Sequence, residues 1–359
     1  MKKRLGQAAK TRSRTGRTML LLGCALLLIV LTACGGGSDS TTNGANQTAT
    51  TNSATNGSNQ AANAGGATNA GEAGVSPSPS PAAESSEFKK IKTVSGEIEV
   101  PVNPKRIVAE EYLGSLIPLG VIPVGAPGLT LQNLYFKDAL KGVADTGTYG
   151  KMNLEKIVEL NPDLILSSSS DNYAQLSKIA PTVVVPYGNL KNAHEELTYF
   201  GELLGKQEEA EAWLKNYDAR IAAAKERVDK AVPAGASFSI LEIADKTIYT
   251  YGDNFGRGGQ PIYQALGRKP PAKVAGVIME KQWAELSQEM VAEYAGDYLI
   301  ITSNSRTLEE LNKDPLWSTL PAFKNGKVYV WKEERSWYYD PIAVLSQTEE
   351  LANWLAPAN

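Results

Sequence analysis

The chain has 359 residues, with 36 Lys and Arg against 39 Asp and Glu and a formal net charge of −3 at pH 7. With one histidine and two cysteines, the chain has too few of these residues to favour a zinc site, a disulfide framework or a His-activated nucleophile. An acidic chain without a basic stripe is a poor nucleic-acid binder, so we expect no nucleic-acid partner.

Residues 1–33 have the pattern of a secretory signal peptide. Seven basic residues and no acid are followed by an apolar run of 13 residues at 19–31, which is short for a membrane span. The sequence "LTAC" at 31–34 resembles the bacterial lipobox and implies a diacylglyceryl group on Cys34. An uncleaved membrane anchor is the alternative. Cleavage would remove Cys24 and leave 29 basic against 39 acidic residues, a net charge of −10.

The next segment, 34–87, is the lipidated cysteine followed by a flexible linker. Its 53 residues after Cys34 are mostly Gly, Ser, Thr, Asn and Ala, and they end in a Pro-rich stretch. This composition cannot bury enough apolar surface to fold. We expect a tether with a reach of about 40 Å. The lipid would anchor the protein to the extracytoplasmic face of the cell membrane.

The remaining residues alternate between strand-like and helical segments, which predicts an α/β fold of two Rossmann-like lobes with mostly parallel sheets. In the N-terminal lobe, 88–205, the predicted strands are 106–110, 121–126, 163–168 and 181–186. In the C-terminal lobe, 232–359, the predicted strands are 237–243, 246–251, 297–302 and 327–332, and the helices are about 260–267, 287–295 and 341–355.

A long helix is predicted between the lobes, at 206–231. Apolar residues from Ala210 to Val228 recur at helical spacing, and Pro233 and Gly235 follow the helix. Its length of about 40 Å suits a strut that joins two lobes with a ligand cleft between them. A coiled-coil helix is the alternative, but the apolar pattern lasts less than four heptads.

The stretch "NLEKIVELNPDLIL" at 153–166 aligns without a gap to "SQEMVAEYAGDYLII" at 287–301. Glu155 matches Glu289, and Asp163 matches Asp297. The alignment predicts the same helix–strand unit in both lobes. Chance similarity is the alternative, because a helix that ends just before an apolar strand is common in α/β proteins.

Aromatic residues and an arginine surround a Gly-rich turn in "TIYTYGDNFGRGGQPIYQALG" at 247–267. Tyr249 stands in the predicted strand, and Phe255 and Arg257 stand in the turn. Glycines and a helix N terminus favour anionic oxygens, and an arginine flanked by rings binds them well. A structural turn with a solvated arginine is the alternative.

Further tyrosines and a tryptophan stand at strand ends or in loops. Trp337, Tyr338 and Tyr339 come in succession before the last helix, so some of them should line a cleft; packing beneath that helix is the alternative. In the N-terminal lobe, Tyr112 stands at a strand end, and Tyr149 stands in "DTGTYG" before the Glu155 helix. The carboxyl ends of strands in open α/β sheets bind ligands. Walls of this kind suit a large organic ligand with a polar rim.

Catalysis finds no support in the sequence. No nucleophile elbow, phosphate-binding loop or dinucleotide-binding glycine pattern occurs. His194 falls in a polar helical turn, and we interpret it as a surface residue. We therefore predict no catalytic residue, no metal ligand and no cofactor. An extracytoplasmic enzyme on the same scaffold and a surface adhesion module stay open as alternatives.

The chain after residue 88 resembles the substrate-binding lipoproteins of bacterial iron–siderophore ABC importers. The resemblance is carried, behind the lipobox, by "NPKRIVAEEYLGSLIPLGVIPVGAP", "NLEKIVELNPDLIL", "YGDNFGRGGQPIYQALG" and "DPLWSTLPAFKNGKVYVW…SWYYDPIAVLSQTEELANWL". It implies two α/β lobes joined by one long rigid helix, with the ligand held between them. It also implies a monomer that captures a ferric siderophore and passes it to an ABC permease dimer with its ATPase.

The resemblance assigns roles to individual residues. Glu155 and Glu289 would dock on arginines of the two permease subunits; two exposed acids favoured by helix dipoles are the alternative. An arginine in "FGRGG", here Arg257, implies a hydroxamate siderophore, with a catecholate, citrate or another iron complex as alternatives. The iron would arrive chelated, so no protein–metal bond is expected. The ligand-binding residues are predicted as Tyr112, Tyr149, Tyr249, Phe255, Arg257, Trp337, Tyr338 and Tyr339.

Overall fold

The computed structural model describes residues 87–357. The predicted signal peptide at 1–33, Cys34 and the linker up to residue 86 lie outside the described residues. Within the described range, no helix combines the length and the apolar character needed to cross a membrane.

Residues 87–357 fold into short strands connected by helices and turns. The strands are β1 (Phe88–Thr93), β2 (Gly96–Pro101), β3 (Ile107–Ala109), β4 (Gly125–Ala126), β5 (Ala144–Asp145), β6 (Gly147–Thr148), β7 (Lys151–Met152), β8 (Leu164–Ser167), β9 (Thr182–Val184), β10 (Phe238–Ala244), β11 (Thr247–Tyr251), β12 (Trp283–Leu286), β13 (Tyr298–Ser303) and β14 (Val328–Trp331). The helices are α1 (Leu113–Leu116), α2 (Gly128–Leu131), α3 (Leu154–Glu159), α4 (Tyr173–Leu176), α5 (Ala193–Leu204), α6 (Gln207–Ala231), α7 (Ala275–Lys281), α8 (Val291–Tyr294), α9 (Leu308–Lys313), α10 (Pro321–Lys324), α11 (Glu333–Ser336) and α12 (Pro341–Leu355).

Two five-stranded sheets define two α/β lobes, as predicted. The N-terminal sheet has the order β5-β4-β3-β8-β9 and is parallel throughout. The C-terminal sheet has the order β12-β11-β10-β13-β14, in which β11 and β12 run antiparallel to their neighbours. Only Asp245 and Lys246 connect β10 to β11, which is too short for the crossover that a parallel pair requires. The C-terminal sheet is therefore more mixed than the sequence predicts.

Several predicted elements are shorter than expected. The predicted strand at 121–126 keeps just its last two residues as β4, since Pro123 has no N–H to donate to a neighbouring strand. The helix predicted at 260–267 is a π-helical turn, Gln260–Ala265. The sequence pattern also gave no sign of the antiparallel hairpin β1–β2, whose Ile91 and Ile98 pack on the N-terminal core.

The predicted interlobe helix is present as α6, and α12 lies against it. Trp213 of α6 packs on the N-terminal core, and Val228 lies in a core cluster of the C-terminal lobe. The last helix bridges in the same way, since Ile342 packs on the N-terminal core and Leu351 lies in the C-terminal one. Two helices therefore join the lobes, where the resemblance implies one.

The two aligned stretches form the same structural unit. Asp163 precedes β8 and accepts hydrogen bonds from the N–H groups of Lys105 and Arg106 at 2.6 and 2.9 Å, where the chain enters β3. Asp297 precedes β13 and accepts from the N–H of Ser237 at 2.8 Å, where the chain enters β10. Each aspartate thus joins the starts of two neighbouring parallel strands in its lobe.

Replacement of either aspartate by alanine should destabilise its lobe. Asp163→Ala and Asp297→Ala leave backbone N–H groups without their charged acceptor, so we expect the free energy of unfolding to fall by about 1–2 kcal/mol in each variant. Urea denaturation measures this change. Asp171→Ala, at an exposed aspartate, is the control and should stay within about 0.5 kcal/mol of the parent. Equal stabilities for all three variants would contradict the assigned role.

Candidate ligand-binding site

A cavity of about 340 Å³ lies between the two lobes, and both lobes contribute to its wall. Its volume falls within the range of small-molecule sites. The lining residues are Glu111, Tyr112, Leu129, Tyr149, Tyr187 and Glu196 from the N-terminal lobe, and Phe255, Arg257, Trp337, Tyr338, Tyr339 and Asp340 from the C-terminal part of the chain.

The tyrosines of the N-terminal wall are positioned by hydrogen bonds to neighbouring segments. Tyr112 follows β3 with a left-handed backbone, φ 69°, and its hydroxyl donates to the carbonyl oxygen of Val185 at 2.7 Å. Tyr149 stands in the turn of the β6–β7 hairpin. That hairpin is fixed by buried Glu110, whose carboxylate accepts from the N–H of Gly150 at 2.7 Å and from the hydroxyl of Ser167 at 2.6 Å.

The arginine of the opposite wall is buried, so the alternative of a solvated arginine is wrong. Arg257 is 8% exposed, and its Nε lies 3.2 Å from Oε2 of Glu242 in a buried ion pair. The guanidinium stacks 3.8 Å from the ring centre of Trp337 and lies 5.0 Å from that of Tyr251. The positive charge of Arg257 is therefore matched within the protein before any ligand binds.

The Gly-rich turn packs tightly against its neighbours. A Cβ on Gly256 would overlap the carbonyl oxygen of Trp337, and a Cβ on Gly259 would overlap that of Gly252. The N–H of Arg257 donates to the carbonyl oxygen of Ser336 at 2.6 Å. The glycines thus allow close packing of the turn on the 336–340 loop, whereas the sequence predicts that they present amides to an anion.

The loop before α12 carries four lining residues, and its two ends are fixed. The side-chain amide of Gln347 donates to the carbonyl oxygens of Arg335 and Tyr338, both at 2.8 Å. Asp340 caps α12 by accepting from the N–H of Ala343 at 3.0 Å. Its carboxylate lies where a Cβ on Gly114 of the N-terminal lobe would stand.

Seven of the eight predicted ligand-binding residues line the cavity: Tyr112, Tyr149, Phe255, Arg257, Trp337, Tyr338 and Tyr339. Their contacts with a ligand stay predictions. Tyr249 is the exception, because it lies beside Trp283, at 6.1 Å between ring centres. Its strand neighbour Tyr251, two residues or about 7 Å further along β11, is the tyrosine that contacts Arg257 and Phe255.

Five lining residues were not predicted: Glu111, Leu129, Tyr187, Glu196 and Asp340. Tyr187 follows β9 and could have been found by the same strand-end rule that identified Tyr112. Glu196 carries a weaker signal, since it stands on the apolar face of α5 among Ala193, Leu197 and Phe200. A glutamate is rarely buried on the apolar face of a helix unless its carboxyl group has a partner or a role there.

Three carboxyl groups give the cavity an acidic character. Burial, followed by the neighbouring carboxylates Glu110 and Asp340, raises the pKa of Glu111 to about 8. Burial raises the pKa of Glu196 to about 8 and that of Asp340 to about 6. Across residues 87–357, no Lys or Arg forms an ion pair with Glu111, Glu196 or Asp340 within 4.0 Å.

The two predicted docking residues lie outside the cavity. Glu155 is exposed in the first turn of α3, and Glu289 is exposed in a 3₁₀ turn, Gln288–Met290, just before α8. Asn153 and Ser287, which match in the alignment, are the N-caps of these two segments.

His194 is an exposed residue on α5. Its Nε2 lies 2.8 Å from Oδ1 of Asp218 on α6. Within the described range, no group of three or more His, Cys, Asp and Glu residues is arranged to hold a metal ion.

Two α/β lobes joined by long helices, with an aromatic cavity between them, define a two-lobed binding protein for a small organic ligand. The family model described as "Periplasmic binding protein" matches residues 107–335. This chain belongs to that family.

Two curated proteins of Bacillus subtilis (strain 168) are similar over most of their length. The chain is 35% identical over 293 residues to the iron(3+)-hydroxamate-binding protein YxeB, covering 80% of this chain and 91% of that one. It is 34% identical over 286 residues to the iron(3+)-hydroxamate-binding protein FhuD, covering 77% and 89%.

Solved structures have the same two-lobed fold. FhuD2 from Staphylococcus aureus with bound ferrioxamine B is 33% identical with a TM-score of 0.64, covering 70% of this chain and 98% of that chain. The FhuD protein from S. pseudintermedius is 30% identical with a TM-score of 0.67, covering 76% and 100%. The predicted α/β architecture of two lobes is confirmed.

The buried carboxyl of Glu196 should make stability depend on pH. Its pKa is raised from an ordinary 4.5 to about 8, so its contribution is fully present below pH 4.5 and is lost as pH rises to about 8. Glu196→Gln should gain stability relative to the parent over this window, at no more than about 1.4 kcal/mol per pH unit. Urea denaturation at pH 5, 6.5 and 8 measures the difference. The same pH slope in both proteins would contradict the buried neutral carboxyl.

Proposed function

We propose that this chain is the extracytoplasmic substrate-binding component of an ABC importer that captures a ferric siderophore, with the hydroxamate type favoured. The observation that carries the proposal is the interlobe cavity with aromatic residues on both walls. The names of the relatives support it, since YxeB and FhuD are iron(3+)-hydroxamate-binding proteins and FhuD2 holds ferrioxamine B.

The charges of the cavity favour a hydroxamate over a catecholate or citrate complex. Three hydroxamates neutralise iron(III), whereas three catecholates leave a trianion that needs several cations. Among the described residues that line the cavity, Arg257 is the only Lys or Arg, and Glu242 already pairs with it. Burying a trianion without partners costs far more than burying a neutral complex of similar size.

The ligand would arrive as a finished iron(III)–siderophore complex, so the protein needs no cofactor and forms no bond to the metal. The tyrosine and tryptophan rings would cover the apolar backbone of the siderophore, while the hydroxyl groups meet its polar rim. In this proposal the chain is a receptor rather than an enzyme. An enzyme on the same scaffold would release an altered ligand, and an adhesion module would bind a protein instead.

The proposal includes membrane attachment through a lipid on Cys34, which lies outside the described residues. The linker up to residue 87 would then let the lobes move above the cell membrane while they stay near the importer. The N-terminal lobe begins with Glu87 and strand β1, whose Lys89 donates from Nζ to the carbonyl oxygen of Glu202 at 2.8 Å.

Delivery would use one glutamate on each lobe. Glu155 and Glu289 stand at matching places on two equivalent helix–strand units, and both are exposed. A pair of like charges at pseudo-symmetric positions is complementary to a permease dimer with paired arginines. The monomer would dock with both lobes at once.

Binding should quench tryptophan fluorescence through Trp337, which stands in the cavity wall at 40% exposure. Titration with ferric ferrioxamine B should quench strongly, whereas the iron-free siderophore should not. Trp337→Phe should remove most of the quenching and keep the emission of the other five tryptophans. Trp283→Phe, at an exposed tryptophan outside the cavity, is the matched control. Absence of quenching by ferric hydroxamates, catecholates and citrate alike would refute the proposed function.

The docking glutamates should affect uptake and leave binding intact. The double variant Glu155→Ala, Glu289→Ala should bind ferric ferrioxamine B with the parent's affinity, since both residues lie outside the cavity. In cells that depend on this receptor, iron uptake from ferrioxamine B should fall at least tenfold. Glu99→Ala, with Asp171→Ala, removes two exposed acids elsewhere on the surface and serves as the control. Unchanged uptake by the Glu155 and Glu289 variant would exclude the docking role.

A further inference from the structure

Glu111 and Glu242 stand at the same distance in sequence from the matched strand starts, Glu111 two residues beyond the end of β3 and Glu242 within β10. Ile107 pairs with Leu164 between β3 and β8, and Phe238 pairs with Tyr298 between β10 and β13. Leu164 and Tyr298 each follow the matched aspartates Asp163 and Asp297 by one residue. Four residues along the sequence from Ile107 and Phe238 stand Glu111 in one lobe and Glu242 in the other.

The two carboxylates have opposite electrostatic environments. Glu242 is paired with the guanidinium of Arg257 and accepts a hydrogen bond from the hydroxyl of Tyr251. Glu111 lies in the cavity wall, and no Lys or Arg of the described range pairs with it. The ionisable groups that influence it or are influenced by it are Glu110, Tyr112, Tyr149, Tyr187, Glu196, Tyr339 and Asp340, all acidic or phenolic.

We propose that Glu111 receives a positively charged group of the ligand, a protonated amine carried by the ferric hydroxamate. The inference rests on the proposed function and narrows it to a cationic complex. Glu196 and Asp340 are two further carboxyls in the wall of the same cavity, and neither forms an ion pair with a Lys or Arg of the described residues. The positive group of the ligand then forms an ion pair with Glu111, as Arg257 does with Glu242.

The chemistry of the pairing is favourable because an ammonium group and a carboxylate carry opposite charges. A charge-assisted hydrogen bond between an ammonium and a carboxylate is about twice as strong as a neutral one. A primary amine with an ordinary pKa near 10 is fully charged at neutral pH. The iron centre of a tris-hydroxamate is neutral, so the ammonium sets the net charge of the whole complex.

Three ferric ligands that differ in one charge test the inference. Ferric ferrioxamine B has a free amine and is cationic, its N-acetyl derivative is neutral, and its N-succinyl derivative is anionic. Dissociation constants from fluorescence titration at pH 7.5 should rise in that order, by about tenfold between the first two, which corresponds to about 1.4 kcal/mol. Failure of all three to bind would refute the proposed function itself. Equal affinities for all three would leave that function standing and overturn this inference.

Variants of Glu111 test whether this carboxylate causes the preference for the cationic ligand. Glu111→Gln should weaken binding of ferrioxamine B about tenfold and change binding of the N-acetyl derivative less than threefold. Glu111→Asp, which keeps the charge, should retain the preference for the cationic ligand. Glu99→Gln, at an exposed glutamate on β2, is the matched control and should behave as the parent. If the Glu111→Gln protein still prefers the cationic ligand, Glu111 does not bind its positive group.

The pH dependence of the parent protein gives a test that needs no variant. The pKa of Glu111 in the free protein is about 8, so a cationic ligand must displace a proton below that pH. Affinity for ferrioxamine B should therefore increase from pH 6 to about 8, while affinity for the N-acetyl derivative stays level. A level profile for ferrioxamine B would contradict the proposal.

Discussion

The cavity depends on the contact between the carboxylate of Asp340 and the backbone of Gly114. Any side chain at position 114 would occupy the space of that carboxylate, so the glycine is what lets the start of α12 reach the N-terminal lobe. Asp340 also caps α12, and the three aromatic residues before it line the cavity. Because the far end of α12 packs in the C-terminal core, this contact helps to hold the two walls together, alongside the packing of α6 on both cores.

The two lobes follow one plan at one end of their strands and differ at the other. Asp163 and Asp297 join the starts of equivalent strand pairs in the same way. At the opposite end, β10 turns directly back as β11, whereas the chain after β3 leaves through the left-handed backbone of Tyr112. The two lobes therefore have the same arrangement at the starts of these strands. The ligand site lies at the opposite ends, where the two lobes differ.

The elements that the sequence predicts well depend on local patterns. Alternating apolar segments indicate the α/β class, the helical spacing from Ala210 to Val228 indicates α6, and strand ends indicate Tyr112 and Phe255. Tyr249 was misplaced because the sequence does not say which of two tyrosines on one strand face lies level with Arg257. The ion pair of Arg257 is not predicted because Glu242 stands on β10, fifteen residues before Arg257 in the Gly-rich turn.

The buried acids show most clearly why long-range packing cannot be read from local sequence. Glu195 and Glu196 are adjacent glutamates on α5, yet Glu195 is exposed and Glu196 is buried because of what packs over it. A carboxyl without a cation weakens a fold, since burial opposes its ionisation. Glu242 avoids that cost through Arg257, whereas Glu111 has no such partner in the described chain. The unpaired carboxyl of Glu111 therefore destabilises the ligand-free protein. A positively charged group of the ligand explains why it is there, because proteins often give up local stability at their binding sites.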